Sequence, residues 1–352
     1  MKDNQNYYFK GIAGLKVVAA ILMFLWHSPV TKPPVDMGAR LCEFFFVASG
    51  FLFYISNSKR SDTNSFPNAL HYVRKKVVAL YPAHLYGFVA ALLRQLLEQP
   101  LSVDMLINAL LNLGLVQAWV NNENVFFGYN GVSWYISALI FCYFMGFALL
   151  NPLRDKNKAF TLLWLIFAIR YGLEAIPIAY PGLFWSINPH ASPLVRVCEF
   201  WLGMVAASFF LQIQAKFQDK ISFWFGSLLE CGSLLLLIYL LITREGLWLR
   251  GAYIIPFCIF VFCFAFDKGV LSAFLSIKPI QWISKYQLEI YLFHVLVFRW
   301  VEYRYPLAIQ MPIYIGALAA AIFVYRMFIR EPVANWVNNK TEKIETWFSE
   351  KS

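Results

Sequence analysis

Charge is scarce in this chain. Of its 352 residues only 14% are Asp, Glu, Lys or Arg, where a soluble domain carries about a quarter. With 60% hydrophobic residues, that scarcity excludes an ordinary water-soluble fold and points to a polytopic membrane protein. CxxC pairs are absent. The six cysteines, Cys42, Cys142, Cys198, Cys231, Cys258 and Cys263, all fall in apolar segments, which argues against a disulfide framework and against a metal site. No internal repeat is visible, which speaks against an inverted-repeat transporter. A cleavable leader is not evident either, because the first apolar run is interrupted by Lys16 and no small-residue cleavage site follows it. The net charge of +10 therefore reads as membrane topology, not as a nucleic-acid footprint.

What is present is a series of apolar runs of bilayer length. They predict an all-α integral membrane protein of about ten spans, near residues 11–28, 39–56, 77–97, 132–151, 159–176, 194–213, 223–243, 251–267, 280–300 and 311–330. One alternating set of loops holds Lys2, Lys10, Lys59, Arg60, the cluster Arg74 to Lys76, Arg154, Lys156, Lys158, Lys216, Lys220, Lys268, Lys278, Lys340, Lys343 and Lys351. The opposite set holds only Lys32, Arg244, Arg250 and Arg304. The positive-inside rule then makes both termini cytoplasmic. Two stretches without Lys or Arg, Glu98 to Gly131 and Pro177 to Pro193, become the main external loops. Within the first, Met105 to Val120 reads as a helix at or dipping into the outer surface. Residues 1–335 read as a single membrane domain and 336–352 as a short cytoplasmic tail.

Within the first run, Phe9 to Ser28, the stretch Ile12 to Trp26 is apolar except for one charge, Lys16, and His27 follows it. A lysine deep in such a run costs about 2.5–3.5 kcal/mol on insertion scales, so compensation is expected. Eleven residues on a helix turn through about 1100°, so Lys16 and His27 share a face and lie roughly 16 Å apart along the axis. With the expected orientation, Lys16 sits toward the cytoplasm and His27 near the outer end. Glu43 falls near the outer end of the second run, within reach of His27 if the two helices are antiparallel neighbours. Arg74, Lys75 and Lys76 gather at the inner mouth, and Glu289, Tyr291 and His294 lie in the ninth run. An imidazole beside a carboxylate is a general-base pair. A cationic inner mouth suits an anionic donor from the cytoplasm, and coenzyme A, with phosphates at one end and a thioester on a long arm, has that shape. The pattern reads as acyl transfer through the membrane.

Several stretches carry a resemblance. KGIAGLKVVAAILMFLWH, with Lys16 and His27, resembles the first helix of the acyltransferase-3 family, bacterial integral-membrane O-acyltransferases of the polysaccharide-modifying type. EFFFVASGFLF from Glu43 to Phe53, the segment Trp134 to Ser137, CEFWLGM from Cys198 to Met204, and the block ending EIYLFH at His294 resemble its later motifs in the same order. One departure stands at the start of the third run. Where the family often shows Arg-x-x-Arg before a Tyr-Pro pair, this chain has Lys76 and Ala79 before Tyr81 and Pro82.

The resemblance implies a multi-pass enzyme of the bacterial cytoplasmic membrane. It would move an acyl group, most simply acetyl, from cytoplasmic acyl-CoA to a hydroxyl of a surface or lipid-linked glycan, such as an exopolysaccharide, without a metal. His27 would take the hydroxyl proton or carry the acyl group, and Glu43 would orient it. Lys16, Arg74, Lys75 and Lys76 would hold the CoA phosphates. Other readings stand beside these. Lys16 can snorkel to the inner surface. Glu43 can pair with Arg40. Glu289 and His294 can pack two helices together as readily as act in catalysis. Ser49 and Gly50 favour close helix packing. Trp134 and Tyr135 suit an interfacial belt or the acceptor site. The same intramembrane charges could also line the path of a glycan transporter or flippase.

Overall fold

The computed structural model describes residues 8–29, 37–59, 66–180, 188–217, 220–243, 253–301 and 306–333. The expected cytoplasmic tail at 336–352, together with Lys2, Lys32, Arg60, Arg244, Arg250 and Arg304, lies outside the described residues. Among the described residues every regular element is helical, as the runs without turn punctuation require. In order they are α1 (Lys10–His27), α2 (Met37–Asn57), α3 (Phe66–Glu98), α4 (Val103–Leu113), α5 (Glu123–Phe126), α6 (Trp134–Leu149) and α7 (Lys156–Ala179). Then follow α8 (Pro193–Phe217), α9 (Phe223–Thr243), α10 (Ile254–Phe264), α11 (Val270–Leu275), α12 (Lys278–Ile283), α13 (Gln287–Val301) and α14 (Leu307–Tyr325). Among the described residues, six helical stretches are long and apolar enough to cross a membrane: Lys10–His27, Met37–Asn57, Phe66–Glu98, Pro193–Gln214, Phe223–Ile242 and Ile309–Val333.

Three elements differ from the sequence reading. The third run was expected from residue 77, yet α3 starts at Phe66 and continues for 33 residues, about 50 Å at 1.5 Å per residue. Arg74 to Lys76 are therefore helical and spread around its circumference. The ninth run is broken into α12, a 3-10 turn at Ser284–Tyr286 and α13. The outer stretch resolves into α4 and a 3-10 turn at Gln117–Trp119. Helix α4 buries Met105 and Asn112 and exposes Val103, Leu106, Ile107 and Leu110, the amphipathic pattern of a surface helix.

Two pieces of packing set the site. Where α2 crosses α8 the backbones touch. A Cβ on Gly50 would lie 1.8 Å from the Phe200 carbonyl oxygen, and one on Gly203 would lie 2.0 Å from that of Val47. Only glycine permits this approach, as the Ser49–Gly50 pair suggested. Helix α1, in turn, begins without a cap from its own flank. The Asp267 carboxylate supplies one from far along the chain, accepting from the backbone amides of Lys10 at 3.0 Å and Gly11 at 2.7 Å. Asp267 adopts a left-handed φ of 52° to do so, a conformation that Asp tolerates better than most residues.

Candidate active site

His27 stands at the C-terminal end of α1, where α2 begins and α5 folds across. It borders a cavity of about 280 Å³. Trp26, Cys42, Trp134, His190 and Tyr291 are among the walls. The ring of His27 has two polar neighbours: Nδ1 lies 3.0 Å from the Met23 carbonyl oxygen and 3.1 Å from Nε2 of His294. His294 is fully buried on α13. Its own Nδ1 lies 2.7 Å from the Tyr291 carbonyl and 3.2 Å from that of Ile290.

These contacts assign the protons. A carbonyl oxygen can only accept, so His294 Nδ1 carries a hydrogen. In the neutral ring its Nε2 is then a lone pair, and His27 Nδ1 must be the donor, shared between His294 Nε2 and the Met23 carbonyl. What remains basic on His27 is Nε2. The pair thus holds His27 in the one neutral tautomer whose free nitrogen can take a proton.

Glu43 is not the partner of His27. It is buried and pairs with Arg40 at 2.5 Å and with Arg170 at 3.8 Å. The reason is azimuth. Cys42 faces the cavity, and the next residue is turned about 100° around the helix, toward α7. There Arg170 also meets Glu174 at 2.5 Å and Glu199 at 3.0 Å, while Arg196 meets Glu199 at 2.7 Å. Three arginines and three glutamates thus neutralise one another inside the helix packing. Arg170, Glu174, Arg196 and Glu199 were not singled out from sequence. The signal was there: four charges in two apolar runs, spaced i,i+4 and i,i+3, must be paired.

The network touches the cavity wall through Arg196. Its guanidinium lies over the Trp134 ring at 5.4 Å, and its Nε donates to the His190 carbonyl at 2.7 Å. His190, which carries no motif, packs on Trp134 with ring centroids 4.8 Å apart. Burial, with Arg196, Arg40 and His27 nearby, pushes its imidazole down to about 3, so it stands neutral at pH 7. Tyr135 lies behind Trp134, its hydroxyl 3.4 Å from Ser49 Oγ.

In the N-terminal half of α1, Lys16 lies within electrostatic range of Lys76 on α3. The Lys76 ammonium sits 5.2 Å from the ring centroids of both Tyr72 and Tyr143. Neither lysine has a carboxylate partner among the described residues. Arg74 and Lys75 do not join them, since both are exposed. Consecutive residues on a helix point about 100° apart, so one face of α3 can present only one of the three inward. Glu289 is held elsewhere, by Arg326 at 2.8 Å and Arg330 at 3.3 Å. A π-helical turn over Arg326–Arg330 brings both arginines to one face, and the pairing reads as an anchor between α13 and the end of α14.

The geometry thus offers a tautomer-fixed base on α1 in an accessible cavity and two lysines, Lys16 of α1 and Lys76 of α3, with no carboxylate partner among the described residues. Comparison with known proteins adds the family. The family described as "Acyltransferase domain" matches residues 9–327, nearly the whole chain. The chain belongs to the acyltransferase-3 family. A curated relative in the same comparison, "Acyltransferase MdmB" of Streptomyces mycarofaciens, is 26% identical over 223 residues. That alignment spans 56% of this chain and 56% of the relative. No solved structure matches at a significant level. Every element that carries His27, Glu43, His294 or the lysine pair lies inside the segment matched to the acyltransferase-3 family.

Proposed function

We propose that this acyltransferase-3 protein is an O-acyltransferase of the bacterial cytoplasmic membrane, with about ten spans and both termini cytoplasmic. It moves an acyl group, acetyl in the simplest case, from cytoplasmic acyl-CoA to a hydroxyl of a surface or lipid-linked glycan. The observation that carries the reading is the tautomer lock on His27, because it prepares a nitrogen base where an acceptor can reach it. Support also comes from Lys16 and Lys76. Two inward-facing ammonium groups with no carboxylate partner among the described residues are costly unless an anion joins them, and the phosphates of CoA are such an anion. The roughly 16 Å between Lys16 and His27 along α1 is a span that the donor's pantetheine arm can bridge.

The chemistry follows from the tautomer. The acceptor hydroxyl gives its proton to His27 Nε2 as its oxygen attacks the thioester carbonyl. A C–O bond forms, the C–S bond breaks, and the proton then passes to the leaving thiolate of CoA. During transfer His27 is an imidazolium, and its Nδ1–H is already bonded to His294 Nε2 and the Met23 carbonyl, which stabilise the charge. A general base of this kind contributes about 10²–10⁴-fold. Glycan export by the same intramembrane charges is the competing reading, and it gives no reason to bind CoA.

The test uses purified protein in nanodiscs. His27→Ala should leave CoA binding by calorimetry near the parent and cut acyl transfer by about 10²-fold or more. Lys16→Ala should instead raise the apparent KM for acyl-CoA, with Lys16→Arg between it and the parent. Parent protein without affinity for CoA, in cells where glycan export still depends on His27, would move the assignment to a transporter.

A further inference from the structure

A second cavity, of about 520 Å³, opens between the C-terminal ends of α3 and α13. Glu123 and Phe127 line both this cavity and the one at His27. The two spaces are therefore neighbours with one thin wall, the α5 turn, between them. Nothing in the proton transfer described above uses the larger one.

Its lining has a definite chemistry. Gln95, in the last turn of α3, and Gln99, just past its end, lie four residues apart, and the backbone N–H of Gln99 donates to the backbone carbonyl of Gln95 at 3.0 Å. They offer amide donors and acceptors on one side of the groove. Across from them Trp300 is 43% exposed. Its indole nitrogen donates to the Ala90 carbonyl at 3.3 Å, which fixes the ring against α3. The lining also carries two arginines and two glutamates: Arg94 pairs with Glu98 at 2.7 Å, Arg299 donates to the Tyr129 carbonyl at 2.6 Å, and Glu123 stands at the wall shared with the His27 cavity. A fixed aromatic surface among amide, guanidinium and carboxylate hydrogen-bonding groups suits a ligand with C–H faces and several hydroxyls, which describes a saccharide ring.

We propose that this groove is a second glycan subsite. It holds the saccharide residue adjoining the one acylated at His27, so that the enzyme reads a chain and not an isolated sugar. The proposal rests on the glycan-acceptor reading above.

The experiment uses the whole protein in nanodiscs with acetyl-CoA as donor. The acceptors are size-fractionated fragments from mild acid hydrolysis of the host cell's own de-O-acylated surface polysaccharide. The quantity read is the ratio of kcat/KM for fragments of several residues to that for the single residue. The parent should favour the longer fragments. Trp300→Ala should reduce the ratio about tenfold, equivalent to about 1.4 kcal/mol, and the double variant Gln95→Ala/Gln99→Ala should shift it in the same direction. The Gln variants change side chains at the exposed end of α3 and keep the test valid if Trp300→Ala does not fold. A parent without preference for longer fragments, or variants that keep the parental ratio, would overturn the subsite and leave Trp300 as an interfacial anchor. A parent that transfers to no fragment of any length overturns the glycan reading itself, and the subsite with it.

Discussion

A histidine held by another histidine is charge-balanced less strongly than one held by a carboxylate. His294 brings no negative charge, so it cannot stabilise the His27 imidazolium as a full counter-ion does. What it supplies is orientation and a lone pair, both fixed by the Tyr291 and Ile290 carbonyls. This makes His294 a positioning residue, and its substitution should differ from that of His27. His294→Ala leaves the Met23 carbonyl as the one remaining acceptor of the His27 Nδ1 hydrogen, so the ring is held less firmly and its imidazolium loses one of two acceptors. Transfer should fall about tenfold to a hundredfold, less than the 10²–10⁴ of a lost general base, with the KM for acyl-CoA unchanged. The pH profile of kcat should shift with it, which loss of packing alone would not produce. The double variant with His27→Ala should be no worse than His27→Ala by itself, because the two act as one unit. Additive losses would separate them.

At the scale of the helix, what sequence could reveal depended on whether the argument was local. The register of Lys16 and His27 needs only the pitch of one helix, and both side chains do belong to α1. The crossing at Gly50 was legible for a similar reason, since a small residue in an apolar run has few uses other than close approach. The partner of Glu43 was not, because its direction depends on which helices surround α2. Glu43 sits seven residues before Gly50 and Glu199 four before Gly203, so each carboxylate shares a face with the glycine at the crossing. The backbone contact therefore carries both toward Arg170. Glu43 then belongs to the fold. Glu43→Gln leaves Arg40 with a neutral partner and removes one charge from the network, a loss of about 3 kcal/mol at the lower end for a broken buried pair. The expected outcome is a lower melting temperature in detergent with turnover per folded molecule near the parent. Intact stability with lost turnover would return Glu43 to the site.

Across the whole molecule the working parts come from distant places in the chain. Asp267 caps α1 at Lys10 and Gly11, His294 meets His27, and His190 forms the wall beside Trp134. No local pattern could announce these meetings, because each depends on how the helices are arranged and none on the residues flanking it. The same arrangement sets the two ends of α1 apart, Lys16 toward one and His27 at the other, and the proposed donor and acceptor sides follow from which end faces the cytoplasm. That orientation rests on Lys and Arg counts in alternating loops and can be measured directly. In a variant stripped of native cysteines, single cysteines at Asn122 and Asn188 should react with an impermeant thiol reagent applied to intact cells. Asn122 is exposed beside α5, and Asn188 borders the His27 cavity, so both report on the acceptor end. A cysteine at Asn157, exposed at the start of α7, should react only after the membrane is opened. The reverse pattern would put His27 at the cytoplasmic face and Lys16 toward the outside. Acyl-CoA, confined to the cytoplasm, could not then reach the lysines first, and the assignment of Lys16 and Lys76 to its phosphates would fall even if His27 remained the base.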